Sequence, residues 1–325
     1  MRGKRFTAII VTVILLLLSL TSSLSALDAA ATANAEVAMN PMQMSLFKFS
    51  ARQKGMDVYE TARAILRQVG YPESIIKAMP EDKLLQVADS RRIETKEEYV
   101  CISPDGEVIS KSREEYEIAK KNLSDIALLE QETSSTTTLK WATLTTYVMQ
   151  SKVNRTQYAY SATCVWLTTP FWRMNDYITI GTMAGAVDGN SVTAALTYTE
   201  VDHDTHKTTD RYVEKLGQSQ IEVEGTTANC YFDLPNNTVV SDKYGGLTGI
   251  EYQNFIMFIY IQGEMTDDSS SVPFNVGSAY FHQILKVTSN ATINVNAVGA
   301  GLSFSIKPAI SFNKISNSMK WTHRM

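Results

Sequence analysis

The chain has 325 residues with 30 basic and 34 acidic side chains, a formal charge of −4. That length suits about two domains of ~100–200 residues and a substantial buried core. Neither sign forms a long run. This excludes the basic stripe that displaces counterions from nucleic acid and the polybasic cluster that anionic membranes attract.

The first predicted element is an export signal. A basic start, Met1-Arg2-Gly3-Lys4-Arg5, precedes the apolar run FTAIIVTVILLLLSL (Phe6 to Leu20) and the small, polar stretch TSSLSALDAA. Ser23-Leu24-Ser25 and Ala29-Ala30-Ala31 both put small residues where a signal peptidase needs them. Residues 1–31 are therefore expected to be a signal peptide and leader, and the mature protein to be secreted or held at the cell surface. The uncharged run from Phe6 to Leu27 also matches the ~20 residues of a spanning anchor. Membrane contact is expected only through this segment, if it stays uncleaved. No Cys follows the apolar run, which argues against a lipoprotein.

Residues 32–131 read as a helical region with a β-hairpin. From about Ala31 to Gln43 the composition is that of a loose leader. VYETARAILRQVG then puts Val58, Ala62, Ile65, Leu66 and Val69 near one face, with Gly70 at the C-terminal cap. YPESIIKAM and PEDKLLQVADS follow, with Pro72 and Pro80 where a first helical turn accepts proline and acids behind them. Three helices of this size are marginal alone and are expected to lean on another part of the chain. YVCISPDGEVIS (Tyr99 to Ser110) predicts a hairpin turning at Asp105-Gly106, and Ser112-x-x-Glu115 opens a further helix. Residues 132–138, ETSSTTT, have linker composition.

Residues 139–325 change texture. Short alternating runs rich in Tyr, Val, Ile, Thr and Phe are punctuated by Gly, Asn and Ser, with Asp188-Gly189 as a hairpin-turn signal. Ten or so strands without helical words between them predict an antiparallel, sandwich-like β domain. The fold class is thus α+β, a small helical N-terminal region followed by a mainly antiparallel β-sandwich-like domain. Cys101, Cys164 and Cys230 are too few and too far apart for a disulfide scaffold or a structural zinc site. A Cys164–Cys230 bridge and buried free thiols both remain open.

Three stretches carry candidate chemistry. In DHDTH, Asp202, Asp204, His206, Thr208 and Asp210 recur every second residue, like the first ligands of an EF-hand loop. The match fails at Lys207, where Gly is needed, and at Val213, where the closing Glu belongs. His203 and His206 also lack HExxH spacing. The segment reads as a polar hairpin loop, with a weak divalent-cation site at Asp202, Asp204 and His206 as the alternative; no other cofactor is expected. WLTTPFWRMNDYITI gathers Trp166, Phe171, Trp172, Arg173, Asp176 and Tyr177 around Pro170. An aromatic loop on a β scaffold makes a ligand platform if exposed, or a plug at one end of the sandwich if buried. TSNATINVNAVGAGLSFSI alternates apolar with small polar residues, a pattern shared by membrane-inserting hairpins and by sheets wet on one side.

Catalytic motifs are incomplete. No GxSxG elbow occurs, and the SxxK matches at Ser45/Lys48 and Ser74/Lys77 lack SDN and KTG partners. Glu222 and Glu224 share a strand face, as exposed alternation does.

The segments LRQVGYPESIIKAMPEDKLLQVA, YVCISPDGEVISKS and WLTTPFWRMNDYITI, behind a signal peptide, together resemble uncharacterised secreted proteins of Gram-positive bacteria. The resemblance spans most of the chain. It implies secretion and a Gram-positive source, and neither an activity nor a catalytic residue. The expectation is an exported, non-enzymatic cell-surface or extracellular binding protein. Its partner would be an extracellular or cell-envelope ligand, not nucleic acid. A secreted glycan or cell-wall hydrolase and a β-pore-forming toxin-like protein are the two alternatives.

Overall fold

The computed structural model describes residues 36–129, 139–170, 174–183, 185–216, 221–241, 246–265, 273–284, 292–298, 301–307, 309 and 312–322. The expected signal segment 1–31 and linker 132–138 lie outside the described residues. The N-terminal part runs β1 (Glu36–Met39), α1 (Pro41–Gln53), α2 (Val58–Gln68), α3 (Glu73–Ala78), α4 (Glu81–Asp89), β2 (Ser90–Ile102), β3 (Val108–Lys111) and α5 (Arg113–Leu129). Strands follow: β4 (Lys140–Ser151), β5 (Gln157–Trp166), β6 (Asn175–Thr182), β7 (Ala186–Asp202), β8 (Lys207–Leu216), β9 (Glu222–Glu224) and β10 (Thr227–Asp233). The last are β11 (Val240–Ser241), β12 (Leu247–Thr248), β13 (Ile250–Glu264), β14 (Pro273–Gln283), β15 (Thr292–Val298), β16 (Gly301–Lys307) and β17 (Phe312–Thr322). Among the described residues no helix is long and apolar enough to cross a membrane.

The helices begin where side chains satisfy the first free N–H groups. Asn40 and Gln43 form a reciprocal cap ahead of α1, and Asp57 and Glu60 do the same for α2. Helices α3 and α4 start directly after Pro72 and Pro80. Gly70, at φ +86°, turns the chain out of α2 in a conformation that costs other residues more. The stretch read as leader departs from expectation. Its end holds β1 and the start of α1, because the Asn40 cap and Pro41 nucleate a helix that composition alone conceals.

Two antiparallel sheets dominate the structure. Sheet one has the order β1-β2-β4-β5-β13-β7-β8, with β3 paired to β2; sheet two has the order β17-β14-β6-β10-β9. The expected hairpin is present as β2–β3, with Cys101 opposite Ile109. Strand β2 also pairs with β4 almost end to end, from Ser90↔Ser151 to Ile102↔Lys140. The segments on either side of 132–138 therefore share one sheet, and the N-terminal region is not a separate helical unit. Asp188-Gly189 does not turn the chain either. It lies within β7, where five steps from Asp188 to Thr193 face two from Gln262 to Tyr260. The turn-forming residues serve a wide bulge instead.

Strands expose alternate side chains on opposite faces, so each central strand feeds two cores. Leu144 and Val148 of β4 join Ile178, Val276, Ile315 and Trp321 of sheet two in the core between the sheets. Tyr147 and Met149 of the same strand point the other way, toward Leu66, Ile76, Leu84 and Val87 of the helices. The helices do lean on the sheet, as their size requires. In sheet two, Phe274, Val276 and Tyr280 of β14 face the shared core, whereas Ala279 and Phe281 face outward into a third cluster.

Cys101, Cys164 and Cys230 are buried free thiols; Cys164 sits in sheet one and Cys230 in sheet two. Burial pushes the Cys230 thiol up to about 12 and the Cys164 thiol well above its usual range. All three are expected to resist maleimide at pH 8 until the chain unfolds; rapid labelling of the native protein would contradict the burial. Leu66→Ala should cost about 2–5 kcal/mol by urea denaturation. Because the helices and sheet one share a core, helical and strand signals are expected to disappear in one transition.

Candidate functional site

Strands β15 and β16 form a ribbon that belongs to neither sheet. Among the described residues they pair only with each other, from Thr292↔Lys307 to Val298↔Gly301. The register sorts their side chains by face. Ile293 lies opposite Ile306, and Val295 opposite Phe304. On the reverse face Thr292 meets Lys307, Asn294 meets Ser305, and Asn296 meets Ser303. One face is wholly apolar. The other is mostly polar, with Lys307 as its one charge and Val298 opposite Gly301 at its far end.

The apolar face is docked on the outer side of sheet two. Ile293, Phe304 and Ile306 are buried against Ala279 and Phe281 of β14 and Phe312 of β17, with Tyr177, Val295 and Leu302 partly buried beside them. Thr292, Asn296, Ser305 and Lys307 are exposed. Phe304 is 1 % exposed and sits over Gly277, in a notch that only glycine leaves open. A Cβ at Gly277 would lie 2.9 Å from Phe304 Cε2 and 3.0 Å from the Asn317 carbonyl oxygen. Lys314 Nζ donates to the Phe304 carbonyl at 3.1 Å, and the Leu302 N–H to Ser318 Oγ at 3.3 Å. Side-chain packing, not a shared ladder, holds the ribbon to the body.

The chain enters and leaves the ribbon through two paired strands. Strands β14 and β17 are antiparallel neighbours from Pro273↔Thr322 to Gln283↔Phe312. Eight residues, 284–291, link β14 to β15, and four, 308–311, link β16 to β17. The excess of four is even, so a straightened ribbon would keep one set of faces throughout. Ala279, Phe281 and Phe312 would then continue the face that carries Ile293, Val295, Phe304 and Ile306. The docked state is one long two-faced ribbon folded back on its own apolar side.

The sequence-predicted platform takes a different form. Phe171, Trp172 and Arg173 lie outside the described residues. Trp166, 3 % exposed, is in the core between the sheets and donates its Nε1–H to Tyr280 Oη at 2.9 Å. Its ring is no open stacking surface, because the apolar end of β5 is covered by sheet two. Asp176 is fully buried. It accepts hydrogen bonds from Tyr280 Oη, from His282 Nδ1 at 3.0 Å and from the Gln283 N–H at 3.1 Å. Burial and this carboxylate both push the Tyr280 phenol up. Tyr177 is half-buried, its ring 5.7 Å from Phe312.

DHDTH forms the tip joining β7 to β8. Asp202 Oδ1 accepts the N–H groups of Asp204 (2.9 Å) and Thr205 (3.0 Å), and Asp204 Oδ2 accepts that of Gly249 (3.1 Å). The Thr205 N–H and side chain, with the Asp204 N–H, hold the Asp202 carboxyl below its usual range. His206 takes φ +54°, and His203 Nε2 lies 3.1 Å from Glu251 Oε2. The arrangement is a self-satisfied turn. Among the described residues no group of three or more His, Cys, Asp or Glu side chains is placed to hold a metal ion. Glu222 and Glu224 are both exposed on the short strand β9. Asp188 and Glu264 line one open groove. Their oxygens, however, accept bonds from the Asn190 N–H (2.9 Å) and Thr156 Oγ1 (2.9 Å).

No protein-family model matches the chain, and no curated protein matches it. Among solved structures, one described as "Pore forming protein" is 7% identical over 72% of this chain and 94% of that one, with a TM-score of 0.21. Clostridium perfringens delta-toxin is 6% identical over 71% and 90%, with a TM-score of 0.20. A protein described as AvmM, which catalyses macrocyclization in alchivemycin A biosynthesis, is 11% identical over 55% and 79%, with a TM-score of 0.18. Overlays of this quality carry no functional argument.

Gly277→Ala is expected to lift Phe304 from its notch at a cost of about 1–3 kcal/mol, typical of overpacking. Chymotrypsin cleavage after Phe304, which docking buries, should accelerate while the far-UV circular-dichroism signal is kept. Unchanged cleavage would show that the notch does not seat the ribbon.

Proposed function

We propose that this is an exported protein that permeabilises membranes by inserting the β15–β16 ribbon, carried by a sandwich-like β body. One observation carries the reading: a two-faced ribbon, outside both ladders, packs its apolar face against the strands that lead into it, burying Ile293, Phe304 and Ile306 and part of Val295 and Leu302. In lipid every backbone N–H and C=O needs a partner, so a lone hairpin cannot span. Several copies must close a barrel in which Ile293, Val295, Phe304 and Ile306 face lipid while Asn294, Asn296, Ser303 and Ser305 face water. Seven-residue arms reach roughly 23 Å at ~3.3 Å per residue. A tilted spanning strand needs ~9–11 residues, so the adjoining residues would be recruited. The same apolar side chains stabilise the docked form, each by about 1.5–3 kcal/mol when fully buried. Exchange of one apolar cover for another is what would let the ribbon move from sheet to bilayer.

Export rests on the N-terminal segment 1–31. The second reading, an exported binding module, draws support from α1, where Met42, Leu46 and Phe49 stand exposed at helical spacing.

The test is dye release from liposomes by the purified protein lacking residues 1–31, over zwitterionic, anionic and cholesterol-containing compositions. Val295 and Asn296 are neighbours on opposite faces of β15, and neither is buried when docked. Val295→Asp should abolish release, since a charge on the lipid face of a barrel costs about 2–4 kcal/mol near the midplane. Asn296→Asp should retain it. Silence across all lipids, or equal effects of the two variants, would overturn the proposal.

A further inference from the structure

We propose that Asp176 is the latch that holds the root of the ribbon in its docked position; this inference rests on the reading of β15–β16 as a mobile element. The ladder between β14 and β6 ends at Phe281↔Tyr177. Two more residues of β14 precede the link to β15. Both remain paired with β17, and side chains fasten them to β6 beyond the end of that ladder. The Gln283 N–H donates to Asp176 Oδ1 at 3.1 Å, and Gln283 Oε1 accepts the Asn175 N–H at 3.0 Å. His282 Nδ1 lies 3.0 Å from Asp176 Oδ2, and Tyr280 Oη donates to the same oxygen. Trp166 Nε1 completes the chain by donating to Tyr280 Oη at 2.9 Å. One carboxylate thus gathers three residues from the last four of β14. Its own strand is fixed from the other side, where Asp176 pairs with Phe232 of β10.

The location gives the clasp its role. The register of β14 on β17 differs by four residues from that of β15 on β16. Joining the two ribbons into one requires either that the surplus bulge out or that the end of β14 slide along β17. While Asp176 holds His282 and Gln283, sliding is blocked. A fully buried carboxylate is tolerated only when its bonds are made. Partial opening is therefore disfavoured, and release is expected to be all-or-none. Asp176→Asn keeps the shape and removes the charge that strengthens every bond of the clasp.

The test reads docking directly. Ile306 lies on the buried face of the ribbon, so the maleimide labelling rate of Ile306→Cys reports the ribbon's undocking against a background of three buried native thiols. Adding Asp176→Asn should raise that rate by about tenfold, the consequence of losing one charged hydrogen bond. Leu144→Ala, in the core between the sheets, is the control: it should lower thermal stability without changing the labelling rate. His282→Gln should accelerate labelling in the same direction and serves if Asp176→Asn does not fold. Faster dye release by Asp176→Asn than by the parent would extend the latch to membrane insertion. Labelling unchanged in both variants, or raised equally by Leu144→Ala, would overturn it. If Ile306→Cys alone labels at the rate of an exposed thiol, the ribbon is not docked and the mobile-element reading falls first. If labelling accelerates while liposomes stay intact, the latch stands and the membrane reading falls.

Discussion

The structure depends on strands that must be covered on both sides. Strands β4, β5 and β14 bury residues of both parities, so a single partner layer would leave one face of each in water. Sheet one meets this constraint with the helices on one side and sheet two on the other. Sheet two meets it with sheet one and, outside β14 and β17, with the β15–β16 ribbon. The helices and the two sheets are joined through large shared cores. The ribbon is held by Ile293, Phe304 and Ile306, by the Gly277 notch and by two hydrogen bonds to β17.

This layering explains why the N-terminal region is inseparable from the rest. Its helices are too small to enclose a core and take their inner wall from Tyr147, Met149, Phe258 and Tyr260. Its strand β2 then pairs with β4 and closes the region into sheet one. The buried thiols fit the same picture. Cys164 and Cys230 act as small apolar side chains in opposing sheets, and the core needs no cross-link to hold them there.

Much of this was legible in the sequence, within limits set by the physics. The helices from Val58 to Asp89 announced themselves because their caps and periodicity are local. The turn at Asp105-Gly106 and the polar loop DHDTH were readable for the same reason. The alternation in TINVNAV and GLSFSIK showed a two-faced ribbon, but not what covers it: Gly277, Phe281 and Phe312 are ordinary strand residues until the ribbon lands on them. Asp188-Gly189 misled because turn-forming residues also make bulges. The aromatic stretch could be read as platform or plug, because nothing local shows that Trp166 and Asp176 are buried. Their partners, Tyr280 and His282, lie more than a hundred residues away. A buried carboxylate bound by residues that distant leaves no local signature.

The unequal links to the ribbon have a further consequence. If β14 keeps its register on β17, eight residues on one side and four on the other leave the two arms of an extended hairpin unmatched by four. The surplus would emerge on the β14 arm, just beyond Gln283. A bulge there would sharpen the local twist and bend that arm away from its neighbour. In a ring of identical copies each bulge would fall at the same height. The ring would then carry a collar, a belt of unpaired backbone marking where the rigid body stops and the inserted wall begins.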